Sequence, residues 1–263
     1  MLRSTAPIAG LLPIEPQPHD LEILFGAPAE VGRILEYADG TRFAIRPDFG
    51  QISCNWTSES TPEDTATYLL GPVLAYLLRL RGTLSLHASA VAVDERAIVI
   101  AGHPGAGKST TAAAFARSGA TVITEDVAPV VWIDGAPSVT PGYPRIRLWE
   151  DVATTLFGEL PPLTPTWPKR FLDVTEQFAR HPYPIAKIVI LGGRTANASL
   201  RRLTGHEAAI ALLRNASMTH ALDDSMREGE LAQVTRLAEA VPLFAATAPD
   251  DLQRAGELLE LLR

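Results

Sequence analysis

Gly102-His103-Pro104-Gly105-Ala106-Gly107-Lys108-Ser109 fits G-x-x-x-x-G-K-[ST], the pattern of a phosphate-binding loop. Its glycines allow successive backbone N–H groups to turn inward and cradle phosphate oxygens. Lys108 is placed to reach the β- and γ-phosphates, and the Ser109 hydroxyl to meet Mg²⁺. A helix starting here adds the partial positive charge of its N-terminus. Outward from the loop, Ala97-Ile98-Val99-Ile100-Ala101 reads as a buried strand, and Thr110–Arg117 as a helix stopped at Gly119. Strand, glycine loop and helix are the setting the motif requires. Gly102 through Thr110 are therefore the expected nucleotide-binding residues, with a nucleoside triphosphate and Mg²⁺ as expected cofactors; no motif here selects ATP over GTP. His103 occupies a free position of the pattern and is expected to face solvent.

A phosphate loop implies a nucleotide but not a reaction. Two carboxylate candidates for the metal side stand downstream. Asp134 ends the apolar run Val130-Val131-Trp132-Ile133, but Asp134-Gly135 is also a hairpin turn signature. Glu125-Asp126 ends the strand Thr121–Thr124 that returns from the loop's helix. Short connections favour pairing of that strand with the loop's own strand. Adjacent acids on a strand point to opposite faces, so one would face the nucleotide and the other a neighbour. His87 lies on a half-apolar strand, Ser85–Val93, and reads either as a core histidine or as an active-site one. Lys169-Arg170 reads either as a solvated charge pair or as a clamp for phosphate or carboxylate.

The runs Leu86-His87-Ala88-Ser89-Ala90-Val91, GHPGAGKST and Thr124-Glu125-Asp126 together resemble the catalytic domain of HPr kinase/phosphorylase. The resemblance covers roughly residues 84–150. It implies that His87 is the active-site histidine, Lys108 the loop lysine, Ser109 the Mg²⁺ hydroxyl and Asp126 the general base toward an acceptor serine. Glu125 stands where the family usually has the first aspartate of a pair. Ser109, Glu125 and Asp126 are then the metal-side groups. Pro144-Arg145-Ile146-Arg147 is similar to the family's E-x-R segment, with Arg147 on the arginine. Arg145 replaces a metal-binding glutamate there, for which Glu150 or Asp151 would have to substitute. The family's large N-terminal domain is replaced by a short β region. The runs LHASAV and PGYPRIRLW are similar to the smaller kinases associated with lasso-peptide maturation. The resemblance thus implies an ATP-dependent serine kinase acting on a peptide or small protein, with the C-terminal serine of a lasso-peptide precursor as favoured acceptor. Its rivals are a regulatory HPr(Ser) kinase/phosphorylase and a non-catalytic ATP-binding accessory protein. A homo-oligomer is compatible with it.

The fold class this implies is α/β: a P-loop core like that of HPr kinase and PEP carboxykinase, a mixed sheet flanked by helices, with a small N-terminal antiparallel β annex. The expected division is residues 1–82 for the N-terminal region and 83–263 for the kinase domain. Residues 1–20 are proline-rich. Short β-like runs at Leu21–Phe25, Arg33–Tyr37, Arg42–Ile45 and Gln51–Trp56 suggest an antiparallel meander, followed by a helix over Glu63–Leu80 kinked at Pro72. Further strands are expected at Val127–Ile133, Arg145–Trp149, Ile185–Leu191 and Val241–Ala246. Helices are expected at Glu150–Phe157, Glu207–Asn215, Gly229–Ala240 and Asp250–Leu262, with a mobile Pro/Thr-rich loop over residues 158–168.

The 263 residues carry a net charge of −7, which argues against general nucleic-acid binding. Cys54 is the sole cysteine, so no internal disulfide or multi-cysteine zinc site is possible. Pro7 and Pro13 break the only apolar stretch near the start, and Leu69–Leu80 is too short to span a bilayer. A cytoplasmic protein with no membrane partner is the expectation. His19, His181, His206 and His220 share no metal-ligand spacing.

Overall fold

The computed structural model describes residues 2–4, 21–26, 32–164 and 167–263. Most of the proline-rich opening, with His19, lies outside them. Five strands form an N-terminal sheet: β1 (Leu2–Ser4), β2 (Leu21–Phe25), β3 (Arg33–Glu36), β4 (Arg42–Ile45) and β5 (Gln51–Asn55), in the order β1-β2-β5-β4-β3. The antiparallel meander holds only for β3, β4 and β5; β1–β2 and β2–β5 run parallel. Alternation of Leu21 and Ile23 into the core specifies which face of β2 is buried, but not which neighbour it pairs with. Here β2 takes the free edge of β5.

Thr61 caps α1 (Pro62–Tyr68) through a reciprocal box with Asp64. The expected kink follows. Residues Leu69–Val73 make one wide turn, with Gly71 leaving helical geometry at φ −99° and ψ −108°, before α2 (Leu74–Leu80) resumes. Pro72 supplies no N–H, which opens the helical ladder there. Leu69, Val73 and Leu77 pack on Ile23, Phe43 and Ile52, and the same cluster takes in Tyr143 and Leu222 from later in the chain.

The larger sheet is built from β6 (Leu84–Val93), β7 (Arg96–Gly102), β8 (Thr121–Thr124), β9 (Val127–Ile133), β10 (Ala136–Val139), β13 (Tyr183–Thr195), β14 (Ser199–Leu203) and β15 (Leu243–Pro249). Between β10 and β13, β11 (Arg145–Trp149) and β12 (Lys169–Asp173) pair as a separate antiparallel ribbon. The order is β10-β9-β6-β7-β13-β15-β14, with β10 also touching β13, so the sheet curls. It is mixed: β7–β13 and β13–β15 are parallel, while the β6 pairings are antiparallel. Val99 and Ala101 point to one core while Ile98 and Ile100 point to another, so β7 is buried on both faces and reads as one apolar run. α3 (Lys108–Arg117), α4 (Glu150–Phe157) and α7 (Ala255–Leu262) cover one face, α5 (Gly205–Asn215) and α6 (Asp224–Ala240) the other.

The strand Thr121–Thr124 does not lie beside the loop's strand. β7 is already flanked by β6, through the two-residue turn Asp94-Glu95 (φ 49° and 58°), and by β13. β8 therefore pairs with the outer edge of β6, end to end with β9, which pairs with the other half of the same edge. Asp134-Gly135 is the β9–β10 turn, with φ 49° and 80°, as its signature suggested. Four strands had no counterpart in the expected elements: β1, within the proline-rich opening; β10, which holds Pro137; and the half-exposed β12 and β14. α6 begins five residues before Gly229, because Asp223 caps Met226 N. No helix among the described residues is long and apolar enough to cross a membrane.

Candidate active site

The glycine loop joins β7 to α3. Gly102, Gly105 and Gly107 have φ of 148°, 83° and 100°. A Cβ on Gly102 would lie 2.6 Å from Leu191 O, so the loop's first residue must be glycine for β7 and β13 to pack. Lys108 opens α3 and is buried; its Nζ donates to Gly102 O at 2.9 Å and His103 O at 3.3 Å, spanning the mouth of its own loop. Burial lowers its pKa, against the opposing pull of Asp126 and Glu125. His103 is exposed, with Nδ1 2.7 Å from Pro104 O, as expected for a free loop position.

The acid pair occupies the break between β8 and β9. Val127 N donates to Glu125 O at 2.9 Å while Asp126 has φ 72°. That is a tight three-residue turn in a strained region, of the kind that concentrates at functional sites. It overturns the expectation that the two acids diverge. They are no longer successive strand residues, so both side chains converge on one arginine. Arg147 Nε donates to Glu125 Oε2 at 2.9 Å, and Arg147 Nη2 lies 2.6 Å from Asp126 Oδ2. Ser109 Oγ donates to Glu125 Oε1 at 2.8 Å, and Tyr143 OH reaches Glu125 Oε2 at 3.4 Å. His87 Nδ1 lies 3.2 Å from Asp126 Oδ1 and 3.1 Å from Asp126 O. His87, Lys108, Ser109, Glu125, Asp126 and Arg147 are thus brought to one place.

Burial works to raise the Asp126 pKa, but Arg147 and His87 outweigh it and hold the carboxyl well below the usual range. Burial likewise opposes the Arg147 charge, and Glu125, Tyr143 and Asp126 more than restore it. Both shifts favour the charged forms. Burial raises Tyr143, so its phenol stays a donor.

These residues line a cavity of about 430 Å³ that runs from the glycine loop (Gly105, Gly107, Thr110) to α1. The sequence reading did not foresee its far wall. Tyr37 and Tyr68 stack with centroids 4.0 Å apart, and Trp167 meets Tyr68 edge-on at 5.8 Å. Burial pushes the Tyr37 phenol up to about 12. Arg194, at the C-terminal end of β13, also lines the cavity; the carboxyl ends of parallel strands are the usual ligand side of such sheets. The pair Lys169-Arg170 splits: Lys169 lines the cavity, whereas Arg170 pairs with Glu150 on α4. Glu150 is thereby engaged away from the glycine loop, and Arg145 packs over Phe171 at 4.1 Å. Neither Glu150 nor Asp151 lines the cavity. The described residues contain no cluster of three or more His, Cys, Asp or Glu side chains suited to a metal. Ser109 and Glu125 offer a hydroxyl and a carboxylate that already meet, an all-oxygen pair of the kind Mg²⁺ takes alongside water and phosphate.

No protein-family model matches the chain, and no curated protein matches it significantly. Among solved structures, it aligns with the HPr(Ser) kinase/phosphatase from Coxiella burnetii at 12% identity and a TM-score of 0.35, over 67% of this chain and 85% of that one. A likeness that distant carries no functional weight, and it says nothing of lasso peptides. The fold is a curled, mixed α/β sheet between helices.

Proposed function

We propose that the protein is an ATP-dependent serine kinase that phosphorylates a peptide or small protein. The observation that carries this is the chain of contacts from Ser109 through Glu125 and Arg147 to Asp126. It joins the end of a glycine loop to an ionised carboxylate across one cavity. Phosphoryl transfer asks for little else: cations for the terminal phosphate and an acceptor for the hydroxyl proton.

In this reading, Lys108 leaves its loop carbonyls for the phosphates, and Arg147 balances charge on the transferring group. The acceptor oxygen bonds to phosphorus as the bond to the bridging oxygen of ADP breaks, and the hydroxyl proton passes to Asp126. An aspartate held so far down is a weak base. It acts mainly by accepting the hydroxyl's hydrogen bond and orienting it, which suffices where the transition state is loose. Ser109 and Glu125 would hold Mg²⁺, whose charge neutralises phosphate oxygens. The aromatic wall at the α1 end suits the acceptor, for which the C-terminal serine of a lasso-peptide precursor is the first candidate.

The same Arg147–Asp126 ion pair favours one other reading, a nucleotide-binding protein that transfers nothing. Transfer from labelled ATP to C-terminal-serine peptides and to an HPr-type protein separates the two. The kinase reading expects a phosphoserine product that the Asp126→Asn variant does not make. Binding of ATP with no product on any acceptor supports the second.

A further inference from the structure

In the β11–β12 ribbon, Trp149 stands opposite Lys169 and Arg147 opposite Phe171. Directly opposed residues share a face, as do residues two apart on one strand. Arg147, Trp149 and Lys169 therefore lie on one face of the ribbon, toward the cavity. Arg170 is opposite Leu148 on the other face, where Glu150 neutralises it. The sequence presents two adjacent cations, and the register sends only one of them inward.

The Lys169 ammonium is unlike the two buried cations of the cavity, Lys108 and Arg147. Lys108 is bonded to two carbonyls and Arg147 to two carboxylates. Lys169 Nζ has no hydrogen bond or carboxylate partner among the described residues. It rests 4.8 Å from the centroid of the Trp149 ring, itself half exposed. A half-buried ammonium parked on an aromatic face is held at modest energy and is ready to move to an anion. Its electrostatic neighbours are Lys108, Arg147, Glu125 and Asp126, which line the same cavity. Both carboxylates there are already matched by Arg147, which leaves Lys108, Lys169 and, at the exposed end of β13, Arg194 as charge for a ligand to satisfy.

We infer that Lys169 swings from Trp149 onto the terminal phosphate of a bound nucleoside triphosphate, making it the residue that distinguishes triphosphate from diphosphate. This rests on the cavity binding ATP, as proposed above, but not on any acceptor. Titration calorimetry of a non-hydrolysable ATP analogue and of ADP, each with Mg²⁺, tests it on wild type, Lys169→Met, Lys169→Arg and Arg170→Met. The triphosphate affinity of Lys169→Met should fall about tenfold or more with ADP affinity unchanged, as loss of a charge-assisted contact requires. Lys169→Arg should recover part of the loss, and Arg170→Met should match wild type. In wild type the analogue, but not ADP, should change tryptophan emission, and Trp149→Phe should remove that change. Equal loss for both nucleotides, or no loss for either, overturns the inference. If wild type binds neither nucleotide, this inference and the kinase reading fall together. If the selective loss appears but no acceptor is phosphorylated, the inference stands and the kinase reading falls.

Discussion

Arg147 reaches two consecutive carboxylates, Nε to Glu125 at 2.9 Å and Nη2 to Asp126 at 2.6 Å, because a positive-φ turn at Asp126 folds the second acid back beside the first. The guanidinium is nine-tenths buried, so the geometry is fixed by charge in a low-dielectric setting rather than by surface screening. Removing the arginine leaves the buried Glu125 carboxylate and the half-buried Asp126 carboxylate without their guanidinium. Arg147→Met should lower unfolding stability by about 3 kcal/mol, the scale for breaking one side of a buried pair. Urea unfolding would show it as a lower midpoint at unchanged slope.

The ionised state of Asp126 has a pH signature. Burial opposes its charge, but Arg147 and His87 win, so its folded pKa lies below its unfolded value of about 3.9. A depressed carboxylate contributes stability above the unfolded pKa and loses it as pH falls through the folded one. The stability gap between Asp126 and Asp126→Asn proteins should be flat from pH 5 to 8 and shrink below about pH 4. A gap that closes instead between pH 6 and 8 would show that Asp126 is not held down as described.

Gly71 tests the link between the helix break and the acid. A Cβ there would come within 2.9 Å of Asp126 Oδ2, and although φ −99° is not left-handed, the accompanying ψ of −108° lies outside the regions alanine readily adopts. Gly71→Ala should therefore cost about 1–3 kcal/mol of stability and, in the folded protein, displace the carboxylate and slow the proposed phosphoryl transfer by about tenfold or more. The readout is kcat at saturating ATP. An unchanged kcat would mean that the carboxylate's position is not fixed from α1.

Much of this was legible in the chain. The glycine loop, the β6–β7 and β9–β10 turns and the Pro72 break are written in local chemistry: glycine, proline and acids at positive φ. The inward pointing of Arg147 and His87 came only through resemblance, since periodicity does not separate a buried arginine from an exposed one. What stayed hidden depends on pairing partners. The parallel β2, the displacement of β8 from β7, and the splitting of Lys169 from Arg170 are all set by register between distant segments. Tyr37, Tyr68, Trp167 and Arg194 carry no motif, and only the folding of four separate segments around one cavity collects them.

A buried ion pair ties the N-terminal helices to the core. Arg79 of α2 lies 2.6 Å from Glu230 of α6, with both side chains under 5% exposed, and Thr219 Oγ1 donates to the same carboxylate oxygen at 3.0 Å. Burial lowers the Arg79 pKa, against the pull of Glu230, so the pair resists its own desolvation. The Arg79 Nε is buried with no hydrogen-bond partner among the described residues, an added cost. Such a pair is weak evidence for stability but costly to break. Arg79→Met alone should destabilise by about 3–5 kcal/mol, whereas Arg79→Met with Glu230→Leu should return to within about 1 kcal/mol of wild type or exceed it. The double-mutant cycle, read by urea unfolding, gives the coupling. If the double variant is as unstable as the single one, the pair does more than neutralise itself, and α2 depends on that charge to hold its place beside the site.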